Sequence, residues 1–300
     1  MTITEIVTKK LKLFSQKKVV TLLSGNYDSL FRGRGLEIDS LREYLPGDDI
    51  KDIDWKATAR TKTTHTRLYT ALRDQRIVVM ADTSKSMLLD GYTGLNKQDA
   101  TYAVCAMLGA FVRHNQDLMA LCATGADGTV AISRYNNTSR HLESILRSID
   151  AALHAPNNPS TSLDALGKKL LSVTKKRSAV FVISDATPDL QAFERLITPL
   201  ATRHHVFYVQ LAPSWPFMNE PDDVFDLKDI ETDEAVMPGL MASAKLKHEW
   251  RQGFTAWQQE SERLCRARGI PYGLITDAAN TPEVLQKMFM QAKRYAVRGK

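Results

Sequence analysis

The stretch Arg76-Ile77-Val78-Val79-Met80-Ala81-Asp82-Thr83-Ser84-Lys85-Ser86 decides how the rest of the chain is read. An unbroken apolar run from Ile77 to Ala81, ending in a carboxylate, is the pattern of a strand buried on both faces. A strand with one wet face would alternate instead. A polar turn follows. Then Ala100, Ala103, Val104, Met107, Leu108 and Phe111 recur at the spacing of one wide helical face within Gln98–Arg113. Strand, turn and helix in that order open a parallel α/β sheet. The design returns at Ala179–Asp185, A-V-F-V-I-S-D, which again ends in a carboxylate.

Working outward, Leu118–Ala123 and Val130–Ser133 read as two strands joined by the turn Thr124–Thr129. Leu142, Ile145, Leu146 and Ile149 mark a helix, and Leu163, Leu166 and Leu170 another after the loop Pro156–Ser160. Beyond the second carboxylate-ended strand, Leu190, Phe193, Leu196, Ile197 and Leu200 form a helix and His205–Leu211 a strand. Leu246, Trp250, Phe254, Trp257 and Leu264 outline a long amphipathic helix. Tyr272–Thr276 is a last strand, and Val284, Met288, Ala292 and Tyr295 mark a closing helix.

This alternation predicts an α/β fold, a doubly wound and mainly parallel sheet over residues 76–300 with helices on both faces. Residues 214–242, acidic and turn-rich, read as a hairpin excursion in which Val224–Asp229 pairs with Glu234–Met237. Residues 1–75 read as a separate small α+β unit. It begins with a basic amphipathic helix carrying Ile3, Ile6, Val7, Leu11 and Phe14 on one face. A glycine-rich turn, Arg32–Gly35, and the densely patterned stretch Leu41–Arg60 follow.

Composition narrows the class. The 300 residues are 43% apolar and 25% charged, which excludes a disordered, collagen-like or disulfide-scaffold chain. The densest apolar stretch, Ala103–Val112, falls short of the ~18 residues a membrane helix needs. Lys9, Lys10 and Lys12 precede no apolar h-region, so no secretory signal is expected and the predicted location is cytoplasmic. Cys105, Cys122 and Cys265 show no metal spacing and sit in apolar runs, as reduced core thiols do. The net charge of +6 is unevenly spread. Residues 1–35 hold seven Lys or Arg, while Asn219–Glu234 holds eight acids against Lys228. No helix-turn-helix or aromatic-plus-basic pattern accompanies the charge, so nucleic acid is not the expected partner.

In doubly wound sheets ligands bind at the carboxyl ends of the strands. There the first strand ends in D-x-S-x-S, with Asp82, Ser84 and Ser86. The second ends in Asp185, and Thr161 lies in the loop before the Leu163–Leu170 helix. These are hard oxygen donors from three loops, suited to Mg²⁺, Mn²⁺ or Ca²⁺ rather than zinc or copper. Each also has a plainer reading: Asp82 in an Asx-turn, Thr161 as a helix N-cap beside Ser160 and Ser162, Asp185 capping the turn toward Pro188. The set resembles the metal-ion-dependent adhesion site of von Willebrand factor A (vWA) domains, and the match is complete in residue type and order. In that site the D-x-S-x-S loop, a threonine and a strand-end aspartate coordinate the ion directly or through water.

The N-terminal unit sharpens the resemblance. Gly25-Asn26-Tyr27-Asp28-Ser29 and Gly33-Arg34-Gly35-Leu36-Glu37 precede Leu41-Arg42-Glu43-Tyr44-Leu45-Pro46-Gly47-Asp48-Asp49. Ile53-Asp54-Trp55 and Ala57-Thr58-Ala59-Arg60 follow. These strings resemble the signature of the bacterial domain-of-unknown-function family numbered fifty-eight, over nearly the whole chain. The resemblance implies a vWA-type domain, often encoded beside MoxR-type AAA+ ATPases, here of the subtype without membrane helices. Pro46-Gly47 suits the centre of a type II turn. Asp48, Asp49, Asp52 and Asp54, among Arg42, Arg60 and Arg67, read either as an ion network fixing the segment against the larger domain or as a docking surface.

The expected function is a non-enzymatic, metal-dependent protein-binding module, its ion completed by an acidic side chain from a partner. The resemblance implies an adaptor or chaperone-like role with a MoxR-type AAA+ ATPase. One alternative is a Mg²⁺-dependent phosphohydrolase using Asp82 as nucleophile. Such enzymes need a second acid where this chain has Ser84. A second alternative is binding of nucleic acid or an anionic surface through the basic N-terminal arm. Ser172-Val173-Thr174-Lys175 matches S-x-x-K without its companion K-T-G, and no phosphate-cradling glycine motif occurs. His204 and His205 are expected at the surface.

Overall fold

The computed structural model describes residues 36–71, 75–91, 93–156, 162–185, 190–212, 227–228, 235–236 and 244–298. The expected N-terminal helix, the turn Arg32–Gly35 and Thr161 lie outside them. Strands β1 (Leu36–Glu43) and β2 (His65–Ala71) pair antiparallel, from Leu36↔Ala71 to Glu43↔His65, and helix α1 (Trp55–Thr61) lies between them in sequence. The Asp48 N–H donates to the Leu45 carbonyl at 3.1 Å, and Gly47 has φ +112°, the left-handed value a type II turn needs after Pro46.

Asp48, Asp49 and Asp54 of this segment each have a local task. Asp48 accepts the Leu45 N–H at 3.0 Å and the Arg42 guanidinium at 2.6 Å, which together hold its carboxyl below the usual range. Asp49 accepts the Lys51 N–H. Asp54 caps α1 through the Lys56 and Ala57 N–H groups and pairs with Arg67 at 3.0 Å. Arg42 and Arg67 thus form ion pairs inside the segment, at its turn and its helix start; these two pairs do not themselves join the segment to the larger domain.

The larger sheet follows the predicted rhythm. Its elements are β3 (Arg76–Ala81), α2 (Lys97–Asn115), β4 (Leu118–Thr124), β5 (Val130–Ile132), α3 (Ser139–Leu153), α4 (Leu163–Val173) and β6 (Ala179–Ser184). There follow α5 (Leu190–Arg203), β7 (His205–Leu211), the two-residue strands β8 (Leu227–Lys228) and β9 (Ala235–Val236), α6 (Ala244–Ala267), β10 (Tyr272–Ile275) and α7 (Thr281–Arg298). Strands lie in the order β10-β7-β6-β3-β4-β5, all parallel except β5, which runs antiparallel to β4. The expected hairpin is seen where β8 meets β9, Leu227 opposite Val236 and Lys228 opposite Ala235.

Two cores result, one on each face, because successive side chains of a strand point opposite ways. Ile77, Val79, Phe181, Ile183, Phe207 and Val209 pack with α2, α3 and α7. Val78, Met80, Val180, Val182, Val206 and Tyr208 pack with α4 and α5 and with Cys265 of α6. All three cysteines are buried free thiols, pushed up to about 12 by burial. They are core residues, as expected.

One close approach is unforgiving. A Cβ on Gly273 of β10 would come within 2.5 Å of Val284 Cγ1 and 2.6 Å of Met288 Sδ on α7. Gly273→Ala is expected to lose about 1–3 kcal/mol in urea denaturation by overpacking this contact. An unchanged midpoint would show that α7 shifts freely. His204 departs from expectation: it is buried at the end of α5, and desolvation holds its pKa below the usual histidine value.

Candidate functional site

Counted within the large sheet, the strands run 3-2-1-4-5-6, and the winding reverses between β3 and β6. The crevice at that switch point opens at the carboxyl ends of these two strands. The last rung between them joins the Asp82 N–H to the Ile183 carbonyl at 2.9 Å. Both strand-end carboxylates sit just beyond it. Asp82 is 5% exposed and Asp185 6%.

The loop after β3 is built around Asp82. Its Oδ1 accepts the Ser84 N–H at 2.9 Å and the Ser84 hydroxyl at 2.7 Å. Its Oδ2 accepts the Ser184 hydroxyl at 2.7 Å. Ser84 Oγ lies 3.0 Å from Ser86 Oγ, so two hydroxyls and a carboxylate meet at one point. Ser84 opens a single 3-10 turn, Lys85–Leu88, whose Met87 is buried. The Thr83 hydroxyl donates to the Thr124 carbonyl at 3.2 Å and ties the loop to β4.

The loop after β6 is held from α2. Lys97, the first residue of that helix, donates from Nζ to Asp185 Oδ2 at 2.7 Å and to the Ser86 carbonyl at 2.9 Å. Its side chain is fully buried. Burial, and next the nearby charge of Asp185, push the Asp82 carboxyl up to about 6 against the pull of its hydrogen bonds from Ser84 and Ser184. Two carboxylates and one ammonium among these three side chains leave a net −1 in a largely buried place.

The structure thus brings together Asp82, Ser84, Ser86 and Asp185, while Thr161 lies outside the described residues. The Asx-turn reading of Asp82 holds too, for the bond to the Ser84 N–H is that turn. It aims the Ser84 hydroxyl at the carboxylate, and the Ser86 hydroxyl meets that of Ser84. The N-cap of α4 is Ser162, which accepts the Ala165 N–H at 3.2 Å. Sequence reasoning missed Ser184 and Lys97. Lys97 did leave a signal: a cation in a helix's first turn opposes the macrodipole and needs an anion nearby.

The donor set is chemically suited to a hard divalent cation. Among the described residues no three His, Cys, Asp or Glu side chains gather to hold a metal, so a zinc-type cluster is not what these elements build. What they build is a buried carboxylate with serine hydroxyls and a net negative charge. Oxygen-preferring ions that keep some of their own water fit such a place.

A doubly wound α/β domain with hydroxyls and two buried carboxylates at its switch point defines the class of the protein. The chain belongs to the family described as Protein of unknown function DUF58, whose model matches residues 40–261. Relatives include the uncharacterized proteins Mb1516 of Mycobacterium bovis and Rv1480 of Mycobacterium tuberculosis. Each is 27% identical over 265 residues, covering 88% of this chain and 81% of the relative. Among solved structures it is similar to a von Willebrand factor type A protein from Catenulispora acidiphila, at TM-score 0.37 and 12% identity. That likeness covers 77% of this chain but only 44% of the other. An aerotolerance-related membrane protein from Bacteroides fragilis aligns at TM-score 0.35 and 13% identity, over 63% of this chain and 99% of that one. Among the described residues no helix is long and apolar enough to cross a membrane.

Proposed function

We propose that the protein is a divalent-metal-dependent protein-binding module, with Asp82, Ser84, Ser86 and Asp185 holding the ion and Thr161 completing the set. The observation that carries this is the convergence of Asp82 Oδ1 with the Ser84 and Ser86 hydroxyls in the switch-point crevice. A bound Mg²⁺ or Mn²⁺ would supply a Lewis-acidic centre with a position open to a carboxylate oxygen from outside. The chain's own part is to hold the donors in place, to exclude water, and to keep Asp82 ionised once the cation's charge offsets Asp185. The partner that the family resemblance implies is a MoxR-type AAA+ ATPase, offering an acidic side chain.

Hydrolysis through an aspartyl-phosphate finds less support. Both Asp82 oxygens accept serine hydrogen bonds, which draws electron density from a would-be nucleophile, and position 84 holds no acid.

Mn²⁺ titration by calorimetry tests the reading. The wild-type protein is expected to bind one ion, and Asp82→Ala to bind at least a hundredfold more weakly. No heat with the wild type would sink the proposal. Because the ion competes with a proton for Asp82, whose carboxyl lies up to about 6, affinity is expected to fall as pH drops below about 6. In EDTA the sign reverses for stability. The folded-state pKa lies above the ordinary carboxyl value, so the native state binds the extra proton between about 4 and 6. Stability should therefore decline as pH rises through that window. Asp82→Asn should flatten the decline, as read in thermal melts.

A further inference from the structure

Lys97 is a cost the fold does not otherwise explain. Its ammonium is fully buried, sits at the positive end of α2, and reaches into the crevice where a divalent ion would bind. An ordinary structural lysine would snorkel to water. This one instead donates to Asp185 and to the carbonyl of Ser86, thereby touching both loops that carry the oxygen donors.

Its charge enters the balance of the site. Asp82, Asp185 and Lys97 sum to −1, so a divalent ion brings the site to +1 and one outside carboxylate brings it to zero. Without Lys97 the loaded site would already be neutral. It would hold the ion more tightly and attract an anion less. Like charges that would share one largely buried crevice repel more strongly than in water, because the effective dielectric there is lower.

We propose that Lys97 is a resident cation that weakens the hold on the metal and keeps the loaded site positive, so that it selects an acidic ligand. This rests on the metal-binding reading above. Lys97 is here a specificity-determining and positioning residue, which fixes Asp185 and the Ser86 loop while lending its charge to the crevice.

The test uses the full chain and two probes, Mn²⁺ alone and then acetate standing for an acidic side chain. Lys97→Met is expected to bind Mn²⁺ at least tenfold more tightly than wild type, about 1.4 kcal/mol. The relaxation of ¹³C-acetate by site-bound Mn²⁺ should show acetate binding weakened severalfold in the variant. Lys97→Gln, which keeps an N–H donor but loses the charge, should behave alike and guards against a Met variant that fails to fold. The melting temperature with and without Mn²⁺ gives a second readout, since tighter binding widens the increment.

Equal or weaker Mn²⁺ affinity in both variants, beside a wild type that binds, overturns the role of Lys97 and leaves the metal site standing. Unchanged acetate binding overturns its part in selecting the ligand. No Mn²⁺ binding by any of the three proteins overturns the metal-binding reading itself. Binding by the variants alone supports the antagonism and overturns metal dependence in the natural protein.

Discussion

Asp185→Ala is expected to lower stability by about 3–5 kcal/mol, because it strands the Lys97 ammonium in the crevice without its carboxylate. The side chain of Lys97 is 0% exposed and lies 2.7 Å from Asp185 Oδ2, so removing the carboxylate leaves a buried charge without its counter-ion. Its place at the start of α2 adds the helix dipole to the penalty. A loss of that size is a large part of the ~5–15 kcal/mol that holds a typical domain together. The pair, by contrast, need not be worth much as a pair. Removing both charges in Asp185→Ala/Lys97→Met should return most of the stability, giving a large coupling energy in a double-mutant cycle. Urea midpoints of the four proteins, taken in EDTA, make the comparison. A double variant no more stable than Asp185→Ala alone would show that Asp185 acts through something other than Lys97.

The carboxylates of this site were legible in the sequence, and the ammonium was not. β3 and β6 announce themselves as unbroken apolar runs because the sheet covers both their faces. A carboxylate after such a run must fall at the crevice end. That logic places Asp82 and Asp185 without coordinates, and the turn chemistry after Asp82 brings Ser84 and Ser86 along. Lys97 and Ser184 reach the site through contacts spanning 88 and 102 residues of chain, which no local pattern encodes. Lys97 could be suspected only from its misplaced charge in a first helical turn.

The N-terminal stretch was read less well for a different reason. β1 carries Glu37, Asp39, Arg42 and Glu43 and, among the described residues, pairs with β2 alone, so it has no continuous apolar run of the kind that marks β3 and β6. What the sequence showed there was turn chemistry, and the Pro46-Gly47 turn is present, whereas the capping of α1 by Asp54 was not read from it. His204 is buried although polar, because a side chain between α5 and the entrance of β7 can be covered by its neighbours whatever its polarity. Conversely, Pro199 lies inside α5 without breaking the helix, since the apolar stripe through Phe193, Leu196, Ile197 and Leu200 packs on the sheet and holds it.

Phe289→Ala is expected to cost about 3–5 kcal/mol, the usual range for deleting a buried aromatic ring. The family match ends at residue 261, so β10 and α7 lie beyond it, yet α7 puts a fully buried ring into the centre of one core. Phe289 lies 5.5 Å from the Phe207 ring, 6.0 Å edge-on from Phe181 and 5.8 Å from Phe111. Phe181 and Phe207 stack at 4.5 Å beneath it. Such aromatic contacts add about 0.5–1.5 kcal/mol beyond the area they bury. The truncation therefore opens a cavity against β6 and β7, and β6 is the strand that carries Ser184 and leads into Asp185. Calorimetric melting and urea unfolding of Phe289→Ala measure the loss. A loss under ~1 kcal/mol, far below the ~3–5 kcal/mol of a buried Phe→Ala truncation, would show that the closing helix is a loose appendage to a domain complete without it. A loss in the expected range makes β10 and α7 part of the frame that holds the crevice in register.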